Sequence, residues 1–366
     1  LFRSVATMAL STTASALEDI KVSGDAKVWY ETDNAGTPGD MFNKTDASAE
    51  VVFKLGMTGK QGNVGFGAEV TQGSTMGLEG QLVSGVRTST TSLSGPTATS
   101  TSTSTSTSTG AETIATTTTT TTTVNGTNNG DMYASKIYFT APLVANTIVK
   151  MGRQELNTPF AFTEKWNAQQ NNFDAAVFVN NSVSDLTLIA AYVGQTNTAG
   201  SFKATQEFNQ IAAYAGGKGA FAAGALYKTD AIAANVWAYE LPTLAKAFWA
   251  DAAMKVGPVA LKAYVASMMP AASGADNTVG FALSGAADIG GIKLFAAATV
   301  VGEDGSLPLG NVATGFKKTK LPTAGVYTDG VYIAQPGSTS VKVKAAGKVG
   351  ETGYALQAVN NTNSNN

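Results

Sequence analysis

Five charged side chains crowd one short stretch of this 366-residue chain: Arg153, Glu155, Glu164, Lys165 and Asp174. Groups of these types can trade protons, or set a fixed field across a narrow passage. Proton chemistry finds little support elsewhere. The chain has no His and no Cys. Ser–His and Cys–His nucleophile pairs are therefore absent, and no imidazole or thiolate is available for zinc. A hydrolase would be left with carboxylates, Lys, Tyr or Ser–Lys sets, and nothing in the sequence groups them tightly. We assign no catalytic residue and expect no enzyme.

A field across a passage needs walls, and composition says what kind. Lys and Arg total 24 against 26 acidic residues, a net charge of −2. A nucleic-acid partner would call for a basic excess or stripe, which is missing. Charged residues make up 14% while 43% are hydrophobic; soluble domains carry about 25% charge. Something other than water must face part of the apolar surface. No run of 18 or more apolar residues exists, so a membrane-spanning helix is excluded. In lipid the remaining solution is a closed β-barrel, because every backbone N–H and C=O must be paired.

Dyad alternation supplies the strands. In Asp19–Thr32, Ile20, Val22, Gly24, Ala26, Val28 and Tyr30 take one face; Lys21, Ser23, Asp25, Lys27, Trp29 and Glu31 take the other. A helix would mix these sets. Residues 46–58 and 63–72 repeat the design, with Glu50, Lys54 and Glu69 on the polar side. Weaker strands are predicted at 132–140, 147–153, 173–180, 186–194, 208–215, 220–228, 232–240, 247–256, 259–267, 278–289, 292–301, 325–334, 340–348 and 352–359. Short punctuation such as Gly257-Pro258, Gly290-Gly291 and Gly350-Glu351 alternates with long polar connections. The expected fold is all-β: a transmembrane antiparallel barrel of 16–18 strands, short turns at one end and long loops at the other. Strict up-down order puts Gly257-Pro258 on the long-loop side, so one strand between Gln206 and Leu241 is surplus.

Other readings of the pattern stay open. A soluble sandwich or a solenoid also hides one face, though a solenoid should show a fixed repeat. The Ala-rich stretches Ile211–Ala225 and Ala260–Ala272 could be helical on propensity alone. Leu1–Ala16 resembles a trimmed export signal ending in Ala14-Ser15-Ala16; a short amphipathic helix is the alternative. Thr88–Thr109 and Thr116–Thr123 are nearly pure Ser and Thr, inside a loop spanning 73–131. Such a segment cannot bury enough apolar surface to offset its ordering entropy. It is either surface decoration, glycosylated or variable, or a bland solvated insertion. The end of the chain, NNTNSNN from Asn360, reads as loop, so a closing strand is expected to be missing.

Several segments resemble one family. DIKVSGDAKVWYET (Asp19–Thr32) is similar to the first strand of the major outer membrane porins of Campylobacter-type epsilonproteobacteria. VKMGRQELN (Val149–Asn157) resembles a strand end of that family, NFDAAVFVNNSVSDLTLIAAY (Asn172–Tyr192) its following hairpin, and Ala238–Ala253 is similar more loosely. The resemblance implies an 18-stranded trimeric porin of the outer membrane, with an inward-folded third loop and, in some members, a calcium ion in the pore. Candidate calcium ligands here are Glu155, Glu164 and Asp174, although their spacing matches no loop motif.

A barrel of this strand number encloses an aqueous channel. Small hydrophilic solutes and ions would then diffuse down their gradients, with no cofactor required. The lining candidates are Lys21, Asp25, Lys27, Glu31, Glu50, Lys54 and Glu69, any of which could instead sit at a rim. The constriction is expected from loop 154–172, whose Phe160, Phe162 and Trp166 suggest packing against a wall. Its eyelet would comprise Arg153, Glu155, Glu164, Lys165 and Asp174; ordinary exposed loop packing is the alternative. A surface protein of S-layer or adhesin type, with the Ser/Thr tract as its working part, is the competing function.

Overall fold

The computed structural model describes residues 17–32, 47–74, 132–198, 207–211, 219–325 and 329–365. The expected export signal (1–16) and nearly all of the Ser/Thr loop (75–131) lie outside the described residues.

Among the described residues, alternation becomes a single antiparallel sheet of sixteen strands. These are β1 (Glu18–Thr32), β2 (Ala47–Gln61), β3 (Val64–Ser74), β4 (Tyr133–Val144), β5 (Thr147–Gln154), β6 (Phe173–Val183), β7 (Leu186–Thr196), β8 (Asn209–Gln210), β9 (Ala220–Lys228), β10 (Ile232–Leu241), β11 (Ala245–Val256), β12 (Val259–Pro270), β13 (Thr278–Ile289), β14 (Ile292–Val301), β15 (Ser338–Val349) and β16 (Thr352–Asn363). Each pairs with its neighbour in sequence, except that β7 pairs directly with β9 while β8 adds a short rung to β7.

The connections sort by length. One end of the sheet carries tight turns at residues 62–63, 145–146, 184–185, 229–231, 257–258, 290–291 and 350–351. Gly290 and Gly291 both adopt positive φ, 61° and 82°. Such values suit the two-residue hairpin turns that match strand twist. The other end carries the long connections, together with one short link at 242–244.

Two predicted strands are corrected, and their removal restores the up-down order. Segment 208–215 contributes just Asn209–Gln210; Ile211 is a turn residue, and 212–218 lies outside the described residues. Segment 325–334 holds a one-turn helix, α1 (Gly330–Ile333), within the connection from β14 to β15. Gly257-Pro258 now falls on the short-turn end. The Ala-rich residues 260–270 are strand, not helix. Asn360–Asn363, expected as loop, pair with β15 instead.

Register separates two faces, because cross-strand partners share one. Phe53, Leu55, Met57, Phe281, Leu283, Val343 and Leu356 lie exposed on one face. The residues between them form the other face, against which the long connections 155–172 and 302–325 fold. We call that face inner.

Candidate functional site

All seven lining candidates share the inner face. Asp25 pairs with Lys54, Trp29 with Glu50, Glu31 with Ser48, and Glu69 with both Gly56 and Lys136. Lys21 and Lys27 follow by the two-residue period. Further along, the inner face of β12 to β15 carries Lys262, Lys293, Lys342, Lys344 and Lys348, with Asp251 and Asp288 as acidic neighbours. These lysines were not among the lining candidates, although Lys342-x-Lys344 already alternates with Val341 and Val343.

Loop 155–172 bridges this face by two different kinds of contact. Its first half is apolar. Phe160 is fully buried and meets Tyr239 of β10 and Trp249 of β11 edge-on, at centroid distances of 5.6 and 5.7 Å. Trp249 in turn meets Tyr264 of β12 at 6.0 Å. This is the packing against a wall that the aromatic content suggested. The second half is held by polar groups of β1, β2 and β4. Lys27 Nζ donates to the Asn167 carbonyl at 2.8 Å, Lys54 Nζ to Gln170 Oε1 at 3.3 Å, and Tyr133 to Gln169 Oε1 at 2.8 Å. Gln169 Nε2 donates to the buried Glu50 carboxylate.

The connection from β14 to β15 forms a second inward loop, one that its length and polar composition alone did not mark as inward. Asn311 caps a 3-10 turn, Val312–Thr314, by accepting from the Ala313 N–H. The same side chain reaches the first loop. Its Nδ2 donates to the Phe162 carbonyl at 2.8 Å and to Glu164 Oε1 at 2.9 Å, while its Oδ1 accepts from the Phe162 N–H at 3.3 Å. Val312 N–H donates to the Phe160 carbonyl at 2.9 Å. Lys317, Lys318 and Lys320 follow. Lys317 stands 4.4 Å over the Trp166 ring and Lys320 4.5 Å over Phe162, within cation–π range. Burial pushes the Lys320 ammonium below the ordinary lysine range. The basic run FKKTK (Phe316–Lys320) in a long loop was the available signal.

The five eyelet candidates do not converge. Glu155 and Lys165 do meet, at 2.6 Å, and Glu155 also takes Lys136 at 2.7 Å and Gln170 Nε2 at 2.8 Å. Burial alone would raise the Glu155 carboxyl. Hydrogen bonds from Lys136, Lys165 and Gln170 outweigh it and hold the group at about 2. Glu164 is buried, with Trp166 Nε1 on one oxygen at 2.7 Å and Asn311 and Thr314 on the other. It ties loops together and presents no open charge. Arg153 and Asp174 form a two-point ion pair, 2.9 and 3.2 Å. Their register partner is Ile137, which is exposed on the apolar face. They therefore sit on the outer face near the long-loop end, with Phe208 laid 3.3 Å over the guanidinium.

The calcium expectation fails on the same geometry. Glu155, Glu164 and Asp174 each answer to different partners. Among the described residues no three acidic side chains gather as metal ligands would. These residues do not fit a calcium site.

The sheet, its pairing order and its loop distribution are the fold of outer-membrane β-barrel porins. Among solved structures the chain is similar to Pseudomonas aeruginosa OccK8 (OprE), at 14% identity and TM-score 0.62 over 93% of this chain and 83% of that one. It is similar to Acinetobacter baumannii OccAB3, at 12% and 0.64 over 94% and 82%. It is also similar to Pseudomonas aeruginosa OccK2 (OpdF), solved in complex with glucuronate, at 12% and 0.59 over 94% and 82%. No protein-family model and no curated protein matches the chain.

Proposed function

We propose that this chain is an outer-membrane pore through which ions and small hydrophilic solutes diffuse passively. One observation carries the reading: an exposed apolar face backs onto a charged face crossed by two folded-in loops. Lipid suits the first face and water the second. No reaction or energy source is needed; bore and lining charge decide what passes. The lysines of β12 to β15 favour small anions, and OccK2, a neighbour in fold, was solved with the anion glucuronate. Kinship with the Campylobacter-type porins, and assembly as a homotrimer, belong to the same proposal and rest on the resembling segments.

Planar-bilayer recording tests the pore. Stepwise conductance with a reversal potential of anion-selective sign is expected under a salt gradient. Stable, detergent-free solubility with no conductance would favour the surface-protein alternative. A ladder of cross-linked bands on unheated gels, stopping at three copies, is expected for the trimer.

A further inference from the structure

We infer that Asn311 is a positioning residue that pins the two inward loops to each other and so sets the bore; this rests on the pore reading. Asn311 is completely buried. It sits in the second loop, 149 residues from Phe162 in sequence, and both ends of its amide reach across the junction. Its amide nitrogen serves Phe162 and Glu164; its amide oxygen serves Phe162 and Ala313. Thr314 adds a hydroxyl to the same Glu164 oxygen, and Thr198 Oγ1 donates to the Ala313 carbonyl at 2.6 Å.

The geometry has a direction that can be reversed. Asn311 donates and Glu164 accepts. Asn311→Asp keeps the acceptor oxygen but turns a second carboxylate toward Glu164, in a site closed to water. Glu164→Gln supplies a donor at the other side. The double variant moves one carboxylate across the junction, leaves net charge unchanged, and restores a donor–acceptor pair. A merely destabilising substitution has no reason to be repaired by this partner.

The experiment records single-channel conductance and reversal potential of the full chain for wild type, N311D, E164Q and the double variant. Alongside runs timed trypsin cleavage after Lys165 and Lys317. N311D is expected to show larger, noisier steps and loop cleavage accelerated roughly tenfold or more, as loss of a charge-assisted bond implies. The double variant is expected to return both readouts toward wild type. Wild-type steps and cleavage in N311D, or a double variant no better than N311D, would overturn the pin. Cleavage also reads the pin without any current. A wild type that never conducts, with cleavage following the expected pattern, would remove the pore reading and leave the pin standing.

Discussion

Phe160→Ala tests whether the aromatic anchor holds the first loop. Phe160 is fully buried between Tyr239 and Trp249, with interplanar angles of 74° and 88°. Two edge-on contacts of this kind contribute about 0.5–1.5 kcal/mol each. Removing a whole buried Phe costs about 3–5 kcal/mol, and water entering from the inner face argues for the lower end. A loss of about 3 kcal/mol changes the docked-to-released ratio by roughly 150-fold, at 1.4 kcal/mol per decade. Release should stay local, because Lys27, Glu50, Lys54 and Tyr133 still hold residues 167–170. Single-channel recording should show a second, higher conductance level. Trypsin should cut after Lys165 far faster, while heat-modifiable gel mobility of the strands is unchanged. Equal conductance and equal cleavage in a correctly inserted variant would refute the reasoning.

Three further outcomes are expected. The folded Glu155 carboxyl lies at about 2 against an ordinary 4.5, so its contribution is complete above pH 4.5 and is lost as pH falls toward 2. Stability should therefore hold from pH 7 to 4.5 and fall progressively toward pH 2, with Glu155→Gln flattening that loss; an equal pH dependence in wild type and Glu155→Gln would contradict this. Arg153→Met should leave selectivity unchanged, since the pair faces outward, while stability falls by roughly 1–3 kcal/mol as Asp174 loses its charged partner; a selectivity change would place Arg153 inside. Leu283→Arg, mid-strand on the apolar face, should lose about 2–4 kcal/mol and assemble poorly. Lys344→Glu on the inner face should instead assemble normally and move the reversal potential toward cations; the opposite pattern in a folding assay would invert the two faces.

The sequence carried the strands wherever opposite faces face different solvents. In β1 to β3, apolar residues keep to one face over long runs and charged residues to the other, with Trp29 and Val52 as apolar members of the charged side, so both the strands and their inner charges were legible. Alternation does not reveal whether a segment has a partner to pair with. Segment 208–215 looks like a strand because Ile211 is apolar, yet Ile211 is buried against the loop packing and its N–H goes to the Gly194 carbonyl. Segment 325–334 carries Val, Tyr and Ile, but Ile333 and Ala334 fill space beneath a loop. The eyelet shows the same limit at the level of side chains. Alternation from Val149 through Met151 to Arg153 points Arg153 outward, whereas adjacency to the loop points it inward. Asn311 gave no signal, because its partners lie across a junction between two long loops.

The split between short turns and long connections has an evolutionary consequence. β3 and β4 pair through seven residues apiece although residues 75–132 separate them. Lengthening such an excursion is cheap, since each doubling adds about 0.6 kcal/mol of closure entropy. One rim of the molecule can therefore take up insertions at little cost to the sheet, while the opposite rim, built from turns of two or three residues, admits almost none.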